Sequence, residues 1–332
     1  MAACLICRDF KRPDAHAARP EFDRMRATSI SGLALSLTEP FSDTIDKARV
    51  IFTWLHHNVA YDADGFFARN IGPQGPENTM RTGLAVCDGY AQLYKALANA
   101  AGLKCEKVSG FGAGFGFTDK NLPSEYKSNH AWNAILFPEP HGWHLIDSCW
   151  GAGVLGHDQK YCKKFNPSQF ISSPKDFGKR HFPGEARWQC ILNPISYAQF
   201  ASPKPGPKVY GGGQDWKVHS ITPWVPALPA GRVRIELERS CAHLKAKKGG
   251  QAEYLICAWT SGTKRPLPFR EVDQFGTIAV EIDVNSGDKV NVGPLTTING
   301  KDAKGVTADE WISQMNRAGW GCNSYLVTYG HD

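Results

Sequence analysis

Gly83-Leu84-Ala85-Val86-Cys87-Asp88-Gly89-Tyr90 decides the reading of this chain, because small residues there lead a thiol into the first turn of a helix. Tyr90, Leu93, Tyr94, Leu97, Ala98 and Ala101 fall on one apolar stripe, and Gly102 stands where a helix ends on a left-handed residue. The pattern predicts a helix over 87–101. A helix N-terminus offers unsatisfied N–H groups and the positive end of the peptide dipole, which favour thiolate over thiol. Cys87 is therefore a candidate nucleophile, and its backbone N–H a candidate donor to an oxyanion.

Upstream, Ile45, Ala48, Ile51, Phe52 and Leu55 recur at helical spacing over Thr44 to Asn58, with Ser42 as the expected cap. Residues 61–81 are rich in turn formers. Downstream, 103–109 reads as a strand and Gly110 to Phe117 as a flexible aromatic loop. That run is not a dinucleotide loop, because Phe115 occupies the third glycine position and no helix follows. His130 to Phe137 and Trp143 to Asp147 then read as two strands joined through Pro138, Pro140 and Gly142.

This hairpin allows a geometric test. If Leu136 pairs with Trp143, then Trp132 faces Asp147 and His130 is its diagonal neighbour on the same sheet face, roughly 7–8 Å away between backbones. A slip of one residue would put Asp147 on the opposite face. Asn133, one residue out of step with His130, falls on the other face and so is set aside as its partner.

Composition bounds the function. The 332 residues are 42% hydrophobic and 21% charged, a globular balance, and 38 Lys and Arg against 32 Asp and Glu leave +6 with no basic domain to follow phosphates. Nucleic acid is therefore not an expected partner. No uncharged apolar run approaches the ~18 residues of a membrane span, and Arg8, Asp9, Lys11 and Arg12 interrupt any signal peptide. The ten cysteines are too sparse for a disulfide scaffold in a chain of this length, so reduced thiols and a cytoplasmic location are expected, with no membrane partner. Cys4-Leu5-Ile6-Cys7 has zinc-ligand spacing and His16 lies nearby, but no second such pair follows, and neither metal nor cofactor is assigned. Residues 1–28 lack periodicity and read as a loose arm. The expected division is a catalytic domain over 29–201, a Pro/Gly-rich linker or surface crossing over 202–231, and a β-rich accessory domain over 232–332 whose strands and glycine turns suggest an antiparallel sandwich.

Taken together, Gly83 to Ala91, Ser109 to Gly116, Asn129-His130-Ala131-Trp132-Asn133 and Trp143 to Gly153 resemble the transglutaminase-like superfamily of papain-type cysteine enzymes, most closely its kyphoscoliosis peptidase-like branch. The resemblance covers Ile30 to Phe200. It implies an α+β fold in which a helix carrying the Cys packs on an antiparallel sheet carrying the His and Asp. It also implies roles: Cys87 as nucleophile, His130 as general base and then acid, Asp147 as the group orienting His130. Gln74, upstream of the Cys as in papain-like enzymes, is a candidate oxyanion donor, and Trp132, Trp150 and Phe115 are candidate walls of the cleft, although aromatics beside strands are more often core. The expected activity is acyl transfer from an amide, ester or thioester of a peptide, protein or small molecule to water or an amine. The alternative is a non-catalytic scaffold or binding module retaining the triad.

Overall fold

Two compact units, Met1–Pro203 and Lys204–Asp332, make up the computed structural model of the chain. It describes residues 4–117, 121–156, 158–202, 206–210, 215–241, 243, 253–263 and 265–330. The first unit is built on two helices that the apolar spacing anticipates. Cys87–Ala100 buries Tyr90, Leu93, Tyr94, Leu97 and Ala98, and burying a side chain of leucine size contributes about 1.5–3 kcal/mol. Gly102 ends it in the left-handed region at φ +79°. The Gly102 and Leu103 N–H groups donate back to Asn99 O and Ala98 O, closing the last turn. Thr44–Asn58 buries Ile45, Ala48, Ile51, Phe52 and Leu55. Its cap is Asp43 rather than Ser42, with the carboxylate accepting from Ile45 N and Asp46 N; an ionised acceptor suits a helix N-terminus better than a hydroxyl.

Against these helices lies a four-stranded antiparallel sheet in the order Gly142–Ile146, His130–Phe137, Cys105–Gly112, His181–Pro183. One face sends Cys105, Ile135 and Phe137 into the helical core. The other carries Val108, Trp132, Ala134 and Leu145 against Phe177 and Trp188. Asn133 lies on the helix side, buried, donating to Ala91 O of the Cys87 helix at 2.9 Å. The hairpin register is Leu136↔Trp143 and Asn133↔Ile146.

Two expectations need correction. The strand that begins at Cys105 runs through Gly112, so Gly110 and Gly112 are strand residues, not loop. A Cβ at Gly110 would lie 2.5 Å from the Trp132 ring, and one at Gly112 would lie 2.8 Å from the His130 ring. These glycines make room for bulky cross-strand neighbours. Nor is the N-terminal segment a loose arm. Lys11–Ala17 is helical and Phe10, Ala17 and Phe22 are buried. The Asp14 carboxylate pairs with the buried Arg49 through Nε at 2.7 Å and Nη2 at 2.9 Å, and also accepts from Thr53 Oγ1. Arg49 sits among the rings of Phe10, Phe165 and Phe170 at 4.7–5.2 Å. A desolvated guanidinium needs that carboxylate, which ties the segment to the core.

The second unit is all-antiparallel among its described strands. One sheet runs Trp216–Thr222, Gly231–Arg239, Ile278–Val284, Arg270–Glu271; another runs Leu267–Pro268, Ile256–Thr260, Val290–Pro294, Val327–Tyr329, Lys208–Val209. Val233, Ile235, Val280 and Ile282 of the first meet Ile256, Val290, Val292 and Val327 of the second in one core, a sandwich arrangement. The expected linker over 202–231 is thus too long, since Trp216–Thr222 pairs along Gly231–Arg239. Gly249-Gly250, one of the glycine turns expected in this region, lies outside the described residues.

Candidate active site

Cys87 is the first residue of its helix, and the cap residue Val86 supplies no side-chain hydrogen bond. The opening N–H groups of a helix have no partners within it, which leaves donors around a half-buried thiol. The entry is tight: a Cβ at Gly89 would lie within 2.8 Å of Ala85, Gln74 and Thr79 side-chain atoms. Gln74 is part of this turn. Its Oε1 accepts from Val86 N at 2.9 Å and its Nε2 donates to Gly72 O at 2.9 Å, so the side chain fastens the approach to the helix.

The hairpin register carries His130 to Asp147. Nε2–H of His130 donates to Oδ2 of Asp147 at 2.7 Å. With Nε2 committed, Nδ1 is the nitrogen left for Cys87, which lies close enough to help raise the imidazole. Asp147 is fully buried and capped into place, its Oδ1 accepting from Trp150 N at 2.9 Å and its own N–H donating to Gln169 O at 3.0 Å. Asn129, just before His130, brackets Gly112 by accepting from its N–H at 2.7 Å.

The electrostatics follow from these contacts. Burial opposes charge on His130, but the Asp147 carboxylate, by its charge and its hydrogen bond, outweighs burial, and Cys87 adds to it; the imidazole is pushed up to about 10. Burial would raise the Asp147 carboxyl, yet His130 and then His181 hold it well below the usual carboxylate range. The arrangement favours an imidazolium between two groups that can be anions.

Of the aromatic candidates, Trp150 stacks on His130 with ring centroids 4.5 Å apart and planes at 21°. Trp132 does not wall an open cleft: it is 1% exposed and packs behind the site against His181 and Phe177. Phe115 is 44% exposed and meets Phe67 edge-on at 5.6 Å.

Sequence reasoning misses His181. Its Nε2 lies 2.9 Å from the same Asp147 Oδ2 that His130 engages. A three-residue strand holds it there, pairing Gly112↔His181 beside Gly110↔His130. No local pattern in His181-Phe182-Pro183 points back to Asp147. His130, Asp147 and His181 also present metal-type ligand atoms within 4.8 Å of one another, a proximity their mutual hydrogen bonds account for. His16 does not join Cys4 and Cys7; its ring packs against Phe22 and Phe41.

Residues 31–148, which include Cys87, His130 and Asp147 but not His181, match the family model of the transglutaminase-like superfamily. Mouse kyphoscoliosis peptidase is 32% identical over 198 residues, covering 59% of this chain and 29% of that protein. The human protein is 30% identical over 201 residues with the same coverages, and Hillarin of Drosophila melanogaster is 24% identical over 171 residues, covering 47% and 20%. The chain thus spans less than a third of the length of these relatives. Among the described residues no helix is long and apolar enough to cross a membrane.

Proposed function

We infer that the region 31–148, which belongs to the transglutaminase-like superfamily, works in a cysteine-dependent acyl-transfer enzyme in which Cys87 is the nucleophile, His130 the general base and acid, and Asp147 the group that orients His130. The observation that carries this reading is the single imidazole that lies beside Cys87 and donates to a buried carboxylate. A base beside the sulfur takes its proton, which generates the nucleophilic thiolate.

In the reaction the thiolate attacks the carbonyl carbon of an amide, ester or thioester, forming a C–S bond while the π pair moves to oxygen, beside the Cys87 N–H. Collapse expels the leaving group, which takes the His130 proton. The acyl-enzyme is a thioester. Water or an amine then attacks it, gives its proton to the neutral His130, and releases the thiolate. Water as acceptor gives hydrolysis, and an amine gives transfer. Trp150, flat against the His130 ring, fixes the plane of the base and shields one side of it from water.

The test is intact-mass and peptide mapping of the full chain. With limiting iodoacetamide, Cys87 should alkylate far faster than the other nine cysteines. With p-nitrophenyl acetate, one acetyl group should appear on Cys87 and disappear on adding hydroxylamine. Alkylation of Cys87 at the pace of the exposed Cys162 would sink the reading.

A further inference from the structure

Asp147 Oδ2 serves two imidazoles, His130 at 2.7 Å and His181 at 2.9 Å. The second is 3% exposed, on the edge strand His181–Pro183. Its ring is locked by a stack on Phe177, centroids 3.8 Å apart at 19°, and by Trp132 and Trp150 at 5.0 and 4.4 Å. Its Nδ1 lies 3.1 Å from Phe177 O. Both nitrogens therefore face acceptors. An ionised carboxylate at the shorter distance outranks a neutral carbonyl, so while Asp147 is ionised Nε2 carries hydrogen whether the ring is neutral or charged. Burial pushes His181 down, towards the neutral ring with that one proton.

Building on the proposed acyl-transfer mechanism, we propose that His181 is a positioning residue for the reaction, whose Nε2–H holds Asp147 Oδ2 in line with His130. Without it Asp147 keeps two donors, the Trp150 N–H and His130. A carboxylate with fewer donors is a poorer anion and a looser guide for the imidazole. The titratable and charged groups at this site are His130 and His181 on Asp147, Cys87 beside His130, the buried Cys149 beside Asp147, and Arg180, whose guanidinium lies 5.8 Å over Trp150. Of these only the two imidazoles donate to Oδ2.

The experiment is the rate of Cys87 alkylation by iodoacetamide against pH, on the full chain, for wild type, His181→Phe and His181→Gln. Phe keeps the ring stack and removes the donor; Gln restores a donor near Nε2. The expected result is a loss of roughly tenfold or more at neutral pH for His181→Phe, with the low-pH limb moved up by about half a unit or more. His181→Gln should recover most of both. A wild-type profile in His181→Phe overturns the proposal, and so does a Gln variant as slow as Phe, which would mean packing alone. Should His181→Phe fail to fold, the Gln profile and the ring-nitrogen NMR shifts of wild type decide: a bare Nε2 at neutral pH overturns it, and a protonated Nε2 with a near-normal Gln profile upholds it. Failure of the underlying mechanism looks different, since wild-type Cys87 would then react no faster than the other nine cysteines.

Discussion

His130 and His144 sit on the two strands of one hairpin, both almost wholly buried, and burial drives both towards neutrality. His130 nevertheless is pushed up to about 10, because the Asp147 carboxylate holds its Nε2–H and Cys87 adds to the effect. His144 is pushed down to about 4: it stacks on Phe137, and its Nε2–H donates to the neutral Phe170 carbonyl at 2.6 Å. The two lie on opposite faces of the sheet, His144 paired with Ile135 on the helix side and His130 in step with Trp132. Burial amplifies whatever partner a histidine meets, and the partner sets the sign. One histidine is built to be charged, the other to be a structural donor.

The contrast is tested most severely by deletion. Cys87→Ala should abolish acyl transfer while leaving the circular dichroism spectrum and melting temperature close to wild type. His130→Ala should be almost as damaging, and the double variant no worse than Cys87→Ala, because nucleophile and base act as one unit. Turnover of p-nitrophenyl acetate measures all three.

Asp147→Asn should cost on the order of 10²–10⁴-fold in rate. Its loss of the carboxylate should bring the high-pH fall of acyl transfer, the reaction that uses the His130 proton, from about 10 back towards the ordinary histidine value of 6.5. A high-pH limb that does not move would show that something other than Asp147 raises His130. Gly112→Ala should have a smaller effect, about tenfold, since the new methyl meets the His130 ring and shifts it by a fraction of an ångström; His130–Asp147 contacts in a crystal structure of the variant would register the displacement.

His144→Phe marks the other side of the comparison. It should leave the alkylation profile unchanged and cost about 1–3 kcal/mol in urea unfolding at pH 8, from the unpartnered Phe170 carbonyl. The pH dependence of stability separates the two sites further. A folded value below 6.5 means that His144 contributes stability above pH 6.5 and loses it as pH falls towards 4, a loss on the order of 3 kcal/mol. His130, raised in the fold, contributes fully below 6.5 and loses its contribution as pH rises through about 10. The His144→Phe variant should therefore be flatter than wild type between pH 6.5 and 4, and His130→Ala flatter between 6.5 and 10.

Much of this was legible in the chain itself. The helix over Cys87–Ala100 follows from a 3.6-residue apolar stripe ended by Gly102, and the Leu136↔Trp143 pairing from two alternating strands across a short turn. Both are local, so nearest-neighbour chemistry is enough to set them, and the register alone carries His130 to Asp147. Other features were decided only when distant segments met. Lys11–Ala17 has no periodicity of its own, and its place depends on the need of Arg49 for the Asp14 carboxylate. Gly110 and Gly112 read as loop until the rings of Trp132 and His130 fill the space above them. His181 acquires its place beside Asp147 through a three-residue edge strand whose partner lies some seventy residues earlier in the chain. Periodicity records which face of an element is buried, but not which polar group will be waiting on the other side, because that depends on packing between segments that share no local pattern.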